Sequence, residues 1–421
     1  MGKLAVSFGH ALGKLLARNA DAGEAALLIP PAIPGSLGDA AMLSVSARLL
    51  REHGIPTVDL LYGKQWPLDE RVDRRIRAER FFYRQSPVQQ SLLVARLHRY
   101  AQCHLIGADV IDGAYNPRSV NARLFLLAEA ARMGKAATLL GASYNRQPEE
   151  TTRQALRALP ASVAICARDP VSRDRMECAL DRPIRQVADL AFLLNPCADH
   201  PEAQRALHWI ESRRRAGDRV IGLNANYLHA EKNPQIPAAL ERLVTGLLGQ
   251  SLSILLLPHD TRSARPDRKL LEEATAAVAP EDRQRLHMLP PTSPGVVRAV
   301  APALELIVTG RMHAAILGLS AATPPFCFAY QDKFEGLFRL FDLEDADLLA
   351  TPASLARRPD AVVARIVARL KDLDALRRRI SENLPAVIAL SKANFVAPDR
   401  LVPTPPGLAA DLSVAQPTAQ A

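Results

Sequence analysis

The segment Leu304–Lys333, LELIVTGRMHAAILGLSAATPPFCFAYQDK, predicts a strand, a helix and a second strand in succession. Its first run is short and apolar, the run after Gly310 has helical spacing, and a Pro-Pro turn precedes the aromatic second run. Such a unit is typical of a parallel sheet in an α/β protein. Arg311 and His313 lie at the joint between strand and helix, where α/β proteins bind their ligands.

The same alternation of short apolar runs and helical patterns continues on both sides of this segment. In the first half, the predicted strands are 25–30, 56–62, 103–111, 136–143, 162–169 and 185–194, and the predicted helices lie near 39–53, 118–133, 149–159 and 170–180. In the second half, the predicted strands are 219–226, 252–260, 285–290, 304–310 and 324–330, followed by a long helical pattern at 361–393.

The polar segment 195–218 separates the two series. A chain of 421 residues is also long for one hydrophobic core. We therefore predict an α/β protein of two Rossmann-like domains that face a cleft, with an N-terminal domain at 1–205 and a C-terminal domain at 206–395 that ends in a closing helix. The tail 396–421 is rich in Pro and Ala, which predicts disorder.

The composition of the chain limits the classes of ligand and partner that it is expected to bind. The chain has 53 Lys and Arg against 44 Asp and Glu, and the net charge of +9 suits anionic ligands or an anionic membrane surface. Aromatic residues make up only 5%, too few for stacking platforms, so nucleic acid is not an expected partner. The five cysteines are scattered without a C-x-x-C motif, which indicates neither a zinc site nor a disulfide framework and fits a reducing cytoplasm.

The N-terminal segment has a short apolar stretch that Lys14 and Arg18 interrupt, so no signal peptide is expected. Its leucines and cations leave two interpretations: a frayed terminal helix, which we expect, or a weak membrane-surface helix. No run is long enough to span a bilayer. The expected location is the cytoplasm, including the cytoplasmic face of the inner membrane.

The common nucleotide-binding signatures are absent. The chain has no G-x-G-x-x-G, and none of its Gly-Lys pairs is followed by Ser or Thr. A different glycine-rich joint, Gly35-Ser36-Leu37-Gly38-Asp39, follows the first strand and opens a helix. Its glycines allow a ligand close to the backbone, and Asp39 is either an N-cap or a catalytic carboxylate.

A third polar joint is Arg168-Asp169, at the end of a strand and before Pro170, a favoured first residue of a helix. Arg168 either faces the cleft as an anion ligand or pairs with a surface acid while Asp169 caps the helix. At the opening joint, Arg311 offers a planar fork for a carboxylate or phosphate, and His313 can exchange a proton near neutral pH.

Several segments together resemble the motifs of the polysaccharide pyruvyl transferase family, from about Gly35 to Leu337. They are GSLGDAAM, ARDPVS, VADLAFLL, IGLN and, most specifically, VTGRMHAAILGLSAATPPFCFAYQDKFEGLF. The resemblance implies a GT-B-like pair of domains, with the acceptor on the first domain and the donor on the second. It implies transfer of the enolpyruvyl group of phosphoenolpyruvate to sugar hydroxyls, forming a pyruvate ketal on a polysaccharide or a lipid-linked precursor. No cofactor or metal is implied besides this donor substrate.

The resemblance also implies site roles. His313 is the expected general acid and base at the donor, and Asp39 the expected base for the acceptor hydroxyl. Arg168, Arg311 and Lys333 are expected to bind the donor's carboxylate and phosphate, since such a ligand needs at least two cations. Gly35, Ser36 and Gly38 are expected to contact substrate.

Two rival functions remain open from the residues. Glu273 and Glu281 match an E-x7-E spacing found in some nucleotide-sugar glycosyltransferases of the same shape, although KLLEEATAAVAPEDRQRL also has the pattern of an exposed helix. The other rival is a non-catalytic protein that associates with a glycan or a membrane. The Arg-rich segment 70–85 would then be its binding surface.

Overall fold

The computed structural model describes residues 3–17, 25–62, 66–262, 267–329 and 333–395. Its first sheet has seven parallel strands in the order β3-β2-β1-β4-β5-β6-β7. These strands are β1 (Ala25–Ile29), β2 (Thr57–Leu61), β3 (Arg74–Ile76), β4 (Gln102–Ala108), β5 (Ala136–Ala142), β6 (Ala164–Ala167) and β7 (Arg185–Gln186). The helices around it are α1 (Lys3–Ala17), α2 (Leu37–Glu52), α3 (Glu79–Arg84), α4 (Pro87–Leu97), α5 (Pro117–Arg132), α6 (Glu150–Arg157) and α7 (Pro170–Leu180).

The second sheet has six parallel strands in the order β10-β9-β8-β11-β12-β13. These are β8 (Arg219–Leu223), β9 (Leu252–Leu256), β10 (Leu286–Met288), β11 (Ile307–Thr309), β12 (Pro325–Phe328) and β13 (Leu349–Ala350). Its helices are α8 (Pro201–Arg215), α9 (Tyr227–Lys232), α10 (Ile236–Leu248), α11 (Asp267–Thr275), α12 (Pro294–Val300), α13 (Met312–Leu319), α14 (Lys333–Arg339), α15 (Pro352–Arg357), α16 (Pro359–Arg369) and α17 (Leu373–Lys392).

Two parallel-sheet α/β domains are therefore present, as the alternation of patterns predicted. The helices begin where the sequence provides caps. Ser36 accepts a hydrogen bond from the Asp39 N–H at the start of α2, and Asp169 accepts one from the Ser172 N–H at the start of α7, with Pro170 as its first residue.

Both faces of the first sheet are covered. On β1, Leu27 and Ile29 pack into a core on one face, while Ala26 and Leu28 pack on the other face with α2. This second core continues across the domain boundary to residues of the second domain such as Ile316. Burial of a shared apolar surface holds the two domains together, and it brings the carboxyl ends of their strands to one cleft.

The final helix belongs to both domains. It was predicted as the closing part of the second domain, and its end returns to the first. Ser391 Oγ donates to the Asp189 carbonyl at 2.7 Å, and Asn394 Nδ2 donates to the Ala188 carbonyl at 2.9 Å. The predicted disordered tail lies outside the described residues.

Three local predictions differ from the structure. The predicted strand 185–194 keeps only β7, because the side chain of Asp189 accepts from the Ala191 N–H at 2.9 Å and starts a 3-10 helix at Leu190–Leu193. The short strand β3 was missed, since two of its three residues are exposed arginines. The N-terminal helix is fifteen residues long and packs against α4 rather than fraying.

No helix within the described ranges is long and apolar enough to cross a membrane.

Candidate active site

The cleft lies between the two domains, at the carboxyl ends of their strands. Polar and apolar side chains of both domains line it: Ala32, Ser36, Asp39, Asp109, Val110, Tyr115, Arg168, Tyr227, Leu228, His259, Arg262, Arg311, Met312 and His313. Five of the predicted site residues thus line one cavity, namely Ser36, Asp39, Arg168, Arg311 and His313.

The loop before α2 is pinned to the opposite domain. The Leu37 N–H donates to the His259 carbonyl at 3.1 Å, and the Thr261 N–H donates to the Gly35 carbonyl at 2.8 Å. Gly35 has a φ of +133°, and a Cβ there would meet the side chain of Arg262 at 2.3 Å. The loop is therefore a contact between the domains as well as part of the cleft lining.

Asp39 occupies the first turn of α2, whose N-cap is Ser36, so the capping alternative for Asp39 is wrong. Its side chain is buried, and no described residue donates a hydrogen bond to its carboxylate. Burial raises the pKa of Asp39 to about 6, with Asp109 and Asp260 adding to the effect and His313 and Arg262 opposing it. A carboxyl group with this pKa exchanges protons near neutral pH.

His313 is the second residue of α13 and packs directly on the Gly38 backbone. A Cβ at Gly38 would lie 2.1 Å from the imidazole ring, so only glycine fits there. The ring Nε2 lies 3.5 Å from Asp189 Oδ2. The prediction that the Gly35–Asp39 loop faces the Arg311–His313 joint is confirmed.

Asp189 links His313 to Arg168. Arg168 is buried, donating from Nη1 to Asp189 Oδ2 at 2.7 Å and from Nε to Ser143 Oγ at 2.6 Å. Burial works to raise the pKa of Asp189, but His313 and Arg168 outweigh it and hold that pKa well below its usual range. The Asp189 carboxylate therefore lies between the imidazole of His313 and the guanidinium of Arg168. Arg168 thus lines the cleft, as one alternative held, but the acid it pairs with is buried and not at the surface, where the other alternative placed it. Asp169 caps α7, as that second alternative also held.

Arg311 follows β11 and is held by a buried acid. Its Nη2 and Nε donate to the two carboxylate oxygens of Asp267 at 2.6 and 3.2 Å, and its guanidinium lies 5.0 Å from the centre of the Tyr227 ring. Burial raises the pKa of Asp267 above its ordinary value, and the Arg311 guanidinium offsets part of that rise. The two-point pair fixes the plane of the guanidinium at the cleft wall. Contact with a donor anion stays a prediction for Arg311.

Lys333 reaches the same region from the start of α14. Its buried Nζ donates to the Asp109 carbonyl at 3.0 Å and lies 3.4 Å from Asp109 Oδ2. Burial tends to raise the pKa of Asp109, but Lys333, Arg168 and His313 lower it to about 2. Lys333 therefore places its charge behind Asp109, at the edge of the cleft.

Several site residues were missed at the sequence level, namely Asp109, Asp189, His259, Asp260, Arg262 and Asp267. Asp189 was detectable as a single acid in an apolar run, and Asp260 as a polar end to a predicted strand. His259 is buried, and neither of its ring nitrogens has a hydrogen-bond partner among the described residues; burial lowers its pKa to about 3. A neutral imidazole beside the cleft is suited to bind a polar ligand group.

The rival E-x7-E pair lies away from the cleft. Glu273 is exposed on α11 and forms a surface ion pair with Lys269 at 3.7 Å, and Glu281 is exposed in a 3-10 helix. Within the described ranges, no group of three or more His, Cys, Asp or Glu side chains has the arrangement of a metal site.

The two domains and the cleft between them define a GT-B fold, and solved structures of this class superpose on most of the chain. A putative UDP-N-acetylglucosamine 2-epimerase from Listeria monocytogenes has 11% identity and a TM-score of 0.56 over 89% of this chain and 96% of its own. The UDP-GlcNAc 2-epimerase of Neisseria meningitidis has 12% identity and a TM-score of 0.55 over 88% and 98%. Sucrose-phosphate synthase from Thermosynechococcus elongatus has 16% identity and a TM-score of 0.52 over 87% and 96%.

At these identities the likeness shows the fold alone. The family model for polysaccharide pyruvyl transferase matches residues 37–332, about 70% of the chain. The chain belongs to this family, as its motifs predicted, and the matched span includes the Gly38–His313 contact. Among curated proteins, no sequence match to the chain was found.

Proposed function

We propose that this protein transfers the enolpyruvyl group of phosphoenolpyruvate to two hydroxyls of a sugar, in a polysaccharide or its precursor, and so forms a pyruvate ketal. Family membership supports a transferase acting on a polysaccharide. The observation that carries the finer proposal is the His313–Asp189 pair beside Asp39, whose pKa is about 6, in one cleft. The reaction needs proton exchange at both donor and acceptor, and these residues can supply it.

The donor requires cations, and the cleft region holds four of them: Arg168, Arg262, Arg311 and Lys333. Each is paired with an acid, respectively Asp189, Asp260, Asp267 and Asp109. The pairs orient the cations but leave little net positive charge. The Asp39 carboxylate, once ionised above about pH 6, therefore repels an anionic donor and weakens its binding. We expect phosphoenolpyruvate to bind more tightly at pH 6 than at pH 8.

The proposed chemistry begins when protonated His313 gives its proton to the methylene carbon of phosphoenolpyruvate. Carbon 2 becomes electrophilic, a sugar hydroxyl adds to it, and Asp39 as carboxylate takes the hydroxyl proton. Phosphate then leaves with the electrons of its carbon–oxygen bond, a second hydroxyl closes the ring, and the proton of that hydroxyl is released. General acid–base catalysis of this kind contributes roughly 10²–10⁴-fold. The Asp189 carboxylate lies 3.5 Å from Nε2 of the imidazole that gives the proton.

The acceptor is assigned to the first-domain side of the cleft, where Ser36 and Asp39 of the Gly35–Asp39 loop line the cavity. Gly35 and Gly38 let Arg262 and His313 pack close to the backbone of this loop. We place the reaction in the cytoplasm, because all five cysteines are free thiols, and three of them, Cys103, Cys166 and Cys327, are buried.

The test is a donor screen by thermal shift followed by product analysis. Phosphoenolpyruvate at about 100 times its dissociation constant should stabilise the fold by roughly 2.7 kcal/mol. With a sugar acceptor, phosphorus NMR should show phosphate release, and mass spectrometry should show the added ketal. Stabilisation by a nucleotide sugar instead would support the glycosyltransferase alternative, and stabilisation by neither donor would support a non-catalytic protein.

A further inference from the structure

Exposed large apolar side chains are concentrated on one surface of the first domain. Of nine such side chains in the described part of the chain, six lie on α1 and α4, and none lies in the second domain. Leu4 is 88% exposed and Phe8 63%, and the others are Leu15, Leu16, Val88 and Leu92. Exposed apolar side chains clustered in this way indicate an interaction surface.

The packing of α1 on α4 explains why this stripe faces outward. The contact uses small residues: a Cβ at Gly9 would meet the Ser91 carbonyl oxygen at 2.6 Å, and one at Gly13 would meet the His98 ring at 2.2 Å. On one flank of α1, His10 reaches inward to Glu129 at 3.1 Å. Leu4, Phe8 and Leu15 recur at helical spacing on the opposite flank.

The exposed residues of α4 continue the same surface. Leu93 and Leu97 of this helix pack into the domain core, and Ser91 donates to the Ala5 carbonyl of α1 at 2.9 Å. Val88 and Leu92, one turn apart, are left on its outer side beside the stripe of α1. We call Leu4, Phe8, Leu15, Leu16, Val88 and Leu92 the apolar patch.

Arginines are frequent in the segment from β3 to the end of α4, which includes the patch residues Val88 and Leu92. From Arg74 to Arg99 the sequence has seven arginines and a single acid, Glu79. All seven arginine side chains are exposed, and none forms a hydrogen bond or salt bridge with a described residue; they are Arg74, Arg75, Arg77, Arg80, Arg84, Arg96 and Arg99. Elsewhere on this protein, surface arginines commonly pair with acids, as Arg153 does with Glu150 at 2.7 Å.

We propose that the apolar patch and its arginines form a docking surface for an anionic lipid bilayer. Apolar side chains on an amphipathic helix enter the boundary between headgroups and acyl chains, and arginines beside them attract anionic headgroups. The proposal concerns binding at the membrane surface and does not depend on the reaction catalysed.

The surface lies close to the cleft. The segment Glu79–Arg84 follows β3, so it lies at the carboxyl edge of the first sheet, where the cleft opens. Arg123 of α5 stacks on Phe82 of this segment, 4.0 Å from the centre of its ring, and its Nε donates to the Pro30 carbonyl, next to the loop that lines the cleft, at 2.7 Å. A bilayer on this surface would lie beside the acceptor side of the cleft.

A second copy of the chain is a poorer occupant. Pairing two patches face to face would bring together two sets of seven unpaired arginines, with one acid per set to offset them. Like charges at that density oppose association. Anionic headgroups instead neutralise the arginines.

The experiment is vesicle flotation of the full chain with phosphatidylcholine alone and with about one third phosphatidylglycerol. Wild type should float only with the anionic vesicles, and high salt should weaken this binding. Leu4→Ser with Phe8→Ser should lower the partition coefficient by roughly tenfold or more. Leu4 and Phe8 are exposed in the free protein and become buried only when it binds a bilayer, so the substitutions remove that gain. Arg80→Ala with Arg84→Ala should lower it by about fivefold per arginine.

Arg378→Ala, an exposed arginine on α17, is the matched control and should float as wild type does. Circular dichroism checks that the variants fold. Phe8→Trp gives a second measurement, and its fluorescence should shift to the blue with anionic vesicles. Absence of flotation, or flotation unchanged in both double variants, would overturn the proposal. So would a dimer in sedimentation analysis that the Leu4 and Phe8 substitutions dissociate, because a second copy would then cover the patch.

Discussion

Replacing Asp39 with asparagine is expected to stabilise the protein above pH 6 and to abolish most of its transfer activity. The carboxylate is buried at the cleft, and burial raises its pKa from 3.8 to about 6. The folded protein therefore holds this proton more tightly than the unfolded chain does. Stability rises as pH falls from 6 toward 3.8, and above pH 6 the buried charge destabilises the fold.

The size of the effect follows from the two pKa values. They differ by 2.2, since 6 minus 3.8 is 2.2, and each unit is worth about 1.4 kcal/mol. The ionised carboxylate thus costs at most about 3 kcal/mol at pH 8. Asparagine has the same shape without the charge, so Asp39→Asn should raise the melting temperature by about 3–7 °C at pH 8. Near pH 4 the gain should vanish, because Asp39 is then protonated in the folded protein.

The measurement is thermal unfolding of wild type and Asp39→Asn at pH 4, 6 and 8, beside pyruvyl transfer at pH 8. Transfer should fall by roughly 10²–10⁴-fold if Asp39 is the base for the acceptor. Asp374→Asn, an exposed position on α17, is the control and should change stability by less than about 0.5 kcal/mol. Equal stabilities at pH 8 would refute the argument from burial, and near-normal transfer would refute the role as base.

The other predictions concern the donor side. His313→Ala should lower transfer by about 10² or more while a thermal-shift titration still shows most donor binding, and near-normal turnover of the folded variant would contradict the catalytic role. Gly38→Ala should lower transfer by roughly tenfold or more, because its Cβ would lie 2.1 Å from the imidazole of His313 and displace it. Gly249→Ala is the control and should behave as wild type, because the atom nearest to a Cβ at Gly249 is 3.5 Å away. Arg311→Lys keeps the charge but loses the two-point pair with Asp267, so calorimetry should show about tenfold weaker phosphoenolpyruvate binding, and an unchanged dissociation constant would argue against donor contact.

Much of the fold was predictable because hydrophobic periodicity is local. Short apolar runs between helical patterns predicted two parallel-sheet domains, and the motifs predicted the family that the match over 37–332 confirms. Polar residues at strand ends predicted Arg168, Arg311 and His313 as cleft residues, since parallel strands end at one edge. The run 185–194 was predicted wrongly, because the Ala191 N–H donates a hydrogen bond to the Asp189 side chain and a 3-10 helix replaces the strand there.

The sequence by itself determined the strand ends that meet at the cleft, since the position of a polar residue after an apolar run is a property of the chain. Only the tertiary structure decided the partners of these residues. Asp189 is 21 residues from Arg168 and 124 from His313, yet it contacts both. The raised pKa of Asp39 has the same origin, because burial between two domains depends on how their surfaces pack. Ion pairs and desolvation act through space, and local patterns carry no distances between remote segments.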